Sequence, residues 1–386
     1  MSNGFLPSFW ELDAPSPNAD AIVVGAGLVG LSTALFLKQA KPNWVVRVVE
    51  RGANPAGASV KNAGFACFGS AGELLDDLKQ MPESEVWDTV AMRWNGLQEL
   101  LSIHGKEVLD YHPCGGWEGF RDPIAFQEVA AQIQMLNEKL RAITGHDAVY
   151  SLRKPGEDGL FGGGMNHWIF NAFEGALHPG FLMRSLERMC RLHGVELNFG
   201  VSVKGFEASA QGWRLLLGSG VFMETAQLVL CTNGFVSELM PELGVMPARA
   251  QVLVTEPVPQ LAWSGTFHAE EGYYYFRNIG KRILLGGARN LDKAGETTME
   301  SGINPTVEQG LNRFLKEVLF PQKEVPKIDF RWTGIMGMGD AKRPIIKTLE
   351  PGLHIGVRMG GMGIAIGTLV ARKLCAMLVY PSEGKY

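Results

Sequence analysis

The sequence has no run of basic residues, no CxxC pair and no uninterrupted apolar stretch of membrane-spanning length. Each absence removes a class of function. Without a concentrated positive surface, and with a formal net charge of −4, the chain is poorly equipped to neutralise phosphates, so nucleic acid is not expected as its main partner. Its five cysteines, Cys67, Cys114, Cys190, Cys231 and Cys375, are scattered and odd in number. Neither a disulfide framework nor a zinc site follows, no metal is expected, and a reduced cytoplasmic setting suits them best. Residues 1–10 lack the basic and long apolar regions of a signal peptide, so a soluble protein without a membrane span is expected. Internal repeats and low-complexity linkers are absent too. What is present is a globular composition, with 46% apolar and 20% charged residues over 386 positions, enough for two interleaved domains. The 48 glycines follow no triplet period and point to tight turns and close backbone approaches to a ligand.

From Asp20 the pattern predicts a strand over 21–24, a glycine turn, a helix over 28–39 and a strand over 45–49 that ends on Glu50. That is one βαβ unit. Helices are expected over 73–79, 84–104 and 122–143, with a short strand near 115–120 between them. A helix over 179–193 follows, then a strand over 196–203, a hairpin around Gly218 to Gly220 and a strand over 227–231. Strands dominate 250–338, and a last helix spans 363–379. The alternation suits two domains woven from discontinuous segments.

Gly25-Ala26-Gly27-Leu28-Val29-Gly30 follows an apolar strand and opens a helix, with an acid closing the next strand. Gly25 permits a tight turn, Gly27 lets the backbone approach a pyrophosphate at the helix N-terminus, and Gly30 allows close helix packing. Glu50 can accept hydrogen bonds from ribose hydroxyls, and its charge disfavours a 2′-phosphate. The segment from Gly57 to Gly69 combines small residues with Ser59, Lys61 and Asn62. It reads either as an ordinary loop or as one running beneath a diphosphate and a flat ring, with Ser59 and Asn62 donating hydrogen bonds.

Taken together, Gly25 to Gly30, Glu50-Arg51, Gly57-Ala58-Ser59 and Asn62-Ala63-Gly64 resemble the start of the D-amino-acid oxidase superfamily. Other segments extend the resemblance in the right order over most of the chain. Ala176 to Gly180, then a helix and Val201 to Val203, is similar to the family stretch in which a valine backbone meets the adenine, here Val203. Cys231-Thr232-Asn233-Gly234 resembles its small-residue strand end, and Gly361-Met362-Gly363-Ile364 its C-terminal turn beside the flavin. The resemblance implies an α/β fold in which a Rossmann-like FAD-binding domain (1–108, 171–243 and 339–386) is interleaved with a mixed β-sheet substrate domain (109–170 and 244–338).

The chain also departs from that pattern. In glycine and D-amino-acid oxidases an arginine clamps the substrate carboxylate, but the corresponding run here is Gly334-Ile335-Met336-Gly337. No cysteine or histidine stands where some relatives attach flavin covalently, so non-covalent FAD is expected. The stretch Arg282 to Gly286 lacks the lysine with which sarcosine oxidases activate oxygen, which leaves oxidase or dehydrogenase behaviour open. Arg358, Arg289 and Lys61 are candidate carboxylate partners in the clamp's place, and Tyr274, within Tyr273 to Phe276, is a candidate aromatic wall. His178 reads as a structural, hydrogen-bonded histidine. The expected activity is hydride removal from the C–N bond of a small amine or amino acid, giving an imine that hydrolyses; such chemistry needs orientation and desolvation more than a triad or a metal. Two other readings stand beside it. An NAD-dependent dehydrogenase would share the glycine turn without needing the Ser59/Asn62 loop. A non-catalytic dinucleotide-binding protein would account for the lost clamp. A tRNA-modifying role, also found in the superfamily, suits the acidic balance poorly.

Overall fold

The computed structural model describes residues 9, 10, 18–153, 164–259, 261 and 263–380. Residues 1–8, read above for a leader, lie outside them. Ala19–Val24 is the centre of the first sheet, pairing in parallel with Val46–Glu50 on one side and Phe222–Leu230 on the other. It is buried on both faces, which is why it is apolar without alternation. Glu196–Phe199 and Leu353–Val357 extend the parallel set, and Ile345–Glu350 closes one edge antiparallel. Val203–Ser209 and Gly212–Leu217 add an antiparallel ribbon through the expected hairpin. The helices Leu28–Ala40, Glu83–His104, Pro179–Leu192 and Gly363–Val379 cover one face, burying Leu31, Leu35, Leu97, Leu186, Val370 and Leu374 around Val23 and Val48.

The second sheet runs in the order Ile328–Met338, Met246–Thr255, Arg282–Gly287, Tyr274–Ile279, Thr266–Ala269, Gly116–Phe120, His167–Asn171 and Tyr150–Leu152. Successive residues point to opposite faces. Leu253, Leu285, Phe276 and Phe267 form an outer face packed on the helix Pro305–Phe314 through Val307, Leu311 and Phe314. The registers place Trp332, Val252, Gly286, Tyr275, His268, Glu118 and Ile169 in one row across the inner face.

Three elements differ from expectation. The strand expected over 196–203 breaks after Phe199, where Gly200 turns back and its N–H donates to the Gly52 carbonyl at 2.9 Å. The helix expected over 122–143 is two, Pro123–Ala130 and Ile133–Thr144. The strand-rich stretch also holds the helix Pro305–Phe314. Its start was legible in Asn304-Pro305, since the Asn304 side chain accepts from Thr306 N at 3.0 Å and proline suits the first turn.

Candidate active site

Gly25 adopts φ +105°, and a Cβ there would lie 2.9 Å from the Cys231 carbonyl. Only glycine makes that turn. Gly30 presses against the Gly25 carbonyl, so the helix Leu28–Ala40 starts directly on the turn. Gly27 gives this helix no side-chain cap, which leaves its N-terminal amides directed at the space before it. Ser59 Oγ accepts from Leu28 N at 2.9 Å and keeps its own proton for another acceptor. The Glu50 carboxylate accepts from Ala26 N at 3.0 Å and Gly52 N at 2.9 Å, so it is oriented but retains lone pairs. The Thr232 hydroxyl is buried without a partner among the described residues. A helix start whose first amide alone is bound, by Ser59, an oriented acid and an orphaned hydroxyl at the carboxyl ends of parallel strands together fit the diphosphate and ribose of FAD.

Three other residues expected at the cofactor have their own partners in the fold. The Asn62 amide donates to the Ala58 and Ser59 carbonyls at 3.1 and 2.8 Å, and its Oδ1 accepts from Gly64 N at 2.8 Å. It closes its own loop, because the short helix Ala58–Lys61 leaves carbonyls that the amide satisfies. Arg51 lies over the Phe235 ring at 3.7 Å and pairs with Glu238 at 3.4 Å. Val203 begins the outer ribbon, paired with Leu217.

The loop continues along the inner face of the second sheet. Lys61 packs its stem against Gly334, and its carbonyl accepts from Trp332 Nε1 at 2.9 Å. Ala63 joins Val252 and Leu284. Gly64, at φ +74°, is held by Arg277, whose Nη1 donates to the Gly64 and Leu177 carbonyls, each at 2.9 Å. Phe65 meets His268 and Tyr275 edge-on at 5.1 and 5.9 Å. Tyr274, the expected site residue, stacks on Phe314 at 4.3 Å on the outer face instead. Strand alternation gives the inner face to Tyr275.

The C-terminal turn interlocks with both sheets. Asn233 Oδ1 accepts from Arg358 N and Met359 N at 3.0 and 3.2 Å, and Gly234 packs against the Met336 carbonyl. Met336 Sδ reaches to 3.7 Å from where a Cβ on Gly361 would stand, so the clamp position does lie beside the glycine turn. Gly363 and Ile364 open the last helix. Arg358 has an unusual left-handed backbone, φ +67°, and its Nε donates to the Arg343 carbonyl at 2.9 Å. Arg289 is half-buried, with neither hydrogen bond nor ion pair among the described residues. His178 caps the helix Pro179–Leu192, accepting from Phe181 N at 3.2 Å. Cys67, read in the sequence only as one of five scattered cysteines, brings its thiol 3.9 Å from Met362 Sδ. Burial pushes that thiol well above its ordinary pKa.

An acidic cluster borders the loop. Glu118 accepts from Gly72 N and the Ser70 hydroxyl at 3.0 and 2.9 Å, and Glu174 from Phe68 N and Gly69 N at 3.2 and 3.4 Å. Burial pushes Glu118 up to about 7 and Glu174 to about 8, against the lowering effect of those hydrogen bonds. Burial works the same way on Glu73, but Arg93 and Lys342 prevail and hold it below its ordinary value. Carboxyls raised above their unfolded value of 4.5 bind protons more tightly in the folded state. Their contribution to stability is complete below that value and is lost as pH rises through 7 and 8. The melting temperature is therefore expected to fall as pH rises from 4.5 to about 8, and Glu174→Gln to flatten the decline; equal slopes in the variant and the parent would contradict this. No sequence signal marked these acids, which come from three separate segments.

Among the described residues no group of three or more His, Cys, Asp or Glu could hold a metal ion, and no helix is long and apolar enough to cross a membrane. Comparison with known proteins agrees with the geometry. Residues 20–377 match the family model "DAO: FAD dependent oxidoreductase". The chain is 24% identical to a probable oxidoreductase OrdL of Haemophilus influenzae, over 95% of this chain and 84% of that protein. It is also 24% identical to gamma-glutamylputrescine oxidoreductase of Escherichia coli, over 94% and 84%. Among solved structures, glycine oxidase from Geobacillus kaustophilus superposes with a TM-score of 0.75 at 18% identity, covering 96% of this chain and 97% of that one. L-proline dehydrogenase from P. horikoshii gives 0.73 at 17%, covering 96% and 94%. These structural likenesses concern the fold.

Proposed function

We propose that this chain, which belongs to the DAO family of FAD dependent oxidoreductases, oxidises the C–N bond of a small amine or amino acid. The observation that carries the reading is the inner sheet face beside the cofactor loop. Gly286, Gly334, Ala248 and Ala250 keep it low around Met336, while Tyr275 and His268 supply polar edges. Such a face suits a small substrate with few polar groups. FAD, when bound there, supplies the two-electron oxidant that converts the C–N bond to an imine, which water then hydrolyses. The chain's own residues hold it through Gly25 to Gly30, Ser59, Glu50 and Thr232, and the loop packed on the sheet limits access of water. The relatives named above as oxidoreductases of gamma-glutamylputrescine and glycine support an amine or amino acid as substrate.

Family membership removes the basis of the NAD reading. A non-catalytic dinucleotide-binding protein makes the opposite prediction to ours. Anaerobic addition of N-methyl amino acids, D-amino acids and simple amines to the yellow protein is expected to bleach the flavin with at least one of them; no bleaching with any would sink the proposal. The flavin is held non-covalently in this reading, consistent with a protonated Cys67. Acid precipitation should release all the colour, and yellow retained in the washed pellet would contradict it.

For a carboxylate, Lys61 is the first candidate, because its stem lies against Gly334, two residues from Met336. Arg289 follows, being free of partners among the described residues. Arg358 comes last, since its side chain already serves the Arg343 carbonyl. Lys61→Met is expected to weaken a carboxylate-bearing substrate about 10- to 100-fold, with little effect on the corresponding amine lacking the carboxylate. Equal effects on both would remove Lys61 from carboxylate recognition.

A further inference from the structure

Tyr275, His268 and Glu118 stand side by side on three adjacent strands of the inner face, with Cβ atoms about 5 Å apart by sheet geometry. Phe65 touches the first two from the cofactor loop. Phe65, His268 and Tyr275 each keep part of their surface exposed although sheet and loop cover the rest, so they front the cleft between them. Neither the imidazole nor the Tyr275 hydroxyl has a hydrogen-bond partner among the described residues. His268 also lines a cavity of about 10 Å³ together with Glu118, Glu174, Tyr150 and Asn171, room for one water. Asn171 is 3% exposed, and its Nδ2 donor has no partner among the described residues. The loop–sheet boundary and the cavity thus share one imidazole.

We propose that His268 is the catalytic base that takes the proton from the substrate's ammonium and passes it through the cavity to Glu118. This rests on the amine reading of the preceding subsection. An ammonium has no lone pair to assist loss of hydride from its neighbouring carbon, so one N–H bond must break first. Its electron pair stays on the substrate nitrogen, and its proton forms a new N–H bond on the imidazole. The imidazolium then gives the proton on its other nitrogen to a water in the cavity, which passes one to a Glu118 carboxylate oxygen, and the neutral imidazole is restored. No electrons leave the substrate in this step.

The surroundings suit both ends of the transfer. The charged and titratable groups around His268 are Tyr275 and Glu118 on its neighbouring strands, Glu73 with its partners Arg93 and Lys342, and Glu174 and Tyr150 across the cavity. Burial holds His268 below its ordinary 6.5, with Glu73 opposing in part, so the ring is neutral and receptive at neutral pH. Glu118, at about 7, is matched to take and release a proton there.

The FAD-loaded enzyme and the best amine of the bleaching panel test the proposal. In His268→Gln the anaerobic flavin-reduction rate at pH 7 should fall about 100-fold, the size expected for a general base. Its rising pH limb should move up towards the ammonium's own pKa, about 10, while flavin content stays unchanged. Bleaching with an unmoved limb overturns this inference alone, whereas a panel that bleaches nothing overturns the amine reading and this inference with it. A second readout needs no turnover. The probe is 2-aminoisobutyrate, an amino acid without a hydrogen on its α-carbon, added to histidine-labelled enzyme whose His268 signal is assigned by its loss in His268→Gln. The pH midpoint of that signal should shift when the probe binds beside the ring, and Glu118→Gln, which removes the neighbouring carboxylate, should lower it. A midpoint moved neither by the probe nor by Glu118→Gln refutes the transfer.

Discussion

Gly27→Val is expected to purify folded and colourless. Gly27 has an ordinary extended backbone, φ −77° and ψ −178°, so the chain itself does not require glycine here. An added Cβ would meet only the Ser59 hydroxyl, at 3.1 Å, the end of a side chain that can rotate. The valine would, however, stand before the N-terminus of the helix Leu28–Ala40, where the pyrophosphate belongs. A loss of FAD affinity on the order of 1000-fold, about 4 kcal/mol, is expected, with a melting temperature close to that of FAD-free parent protein. Gly30→Val provides the contrast. Its side chain would run into the Gly25 carbonyl, and overpacking backbone against backbone costs folding itself. Flavin absorbance and thermal melting on the two variants separate the roles. Stoichiometric flavin in folded Gly27→Val would show that the cofactor is placed wrongly.

Arg277→Met should weaken the whole protein as well as the cofactor site. Arg277 is buried on the inner sheet face, and a single guanidinium nitrogen holds the Gly64 and Leu177 carbonyls, with the Ala63 carbonyl further off at 3.4 Å. Its Nε reaches the Asn278 carbonyl at 3.2 Å. Methionine fills similar volume but leaves these acceptors unpaired, a cost on the order of 3 kcal/mol. Because Ala63 and Gly64 belong to the loop that carries Phe65, FAD affinity should fall along with unfolding stability. Lysine should restore part of the loss, since one ammonium offers three donors where a single nitrogen now serves the loop carbonyls, but it cannot replace the Nε bond to Asn278. Urea unfolding and flavin titration measure both effects. Unchanged stability in Arg277→Met would mean that the loop is held elsewhere.

The sequence by itself determined the βαβ unit, its glycine turn and the acid that closes it. Gly25, Gly27, Gly30 and Glu50 fall within one short stretch, and their geometry depends on local backbone conformation and one strand pairing. The helix 363–379 was legible for the same reason, from a continuous apolar pattern opened by a glycine turn. The side chain of Asn62 could serve either a ligand or its own loop, and only the folded loop shows the Ala58 and Ser59 carbonyls within its reach. In Tyr273 to Phe276 every residue is aromatic, so no alternation announces which face is buried; the pairing of Tyr275 with Gly286 and His268 decides it. The row of Tyr275, His268 and Glu118, and the acids Glu73 and Glu174 beside it, are products of tertiary structure alone. They come from strands, a helix and a loop distant in the chain, and their proximity depends on the registers of several pairings, in which a one-residue slip would turn each side chain to the opposite face.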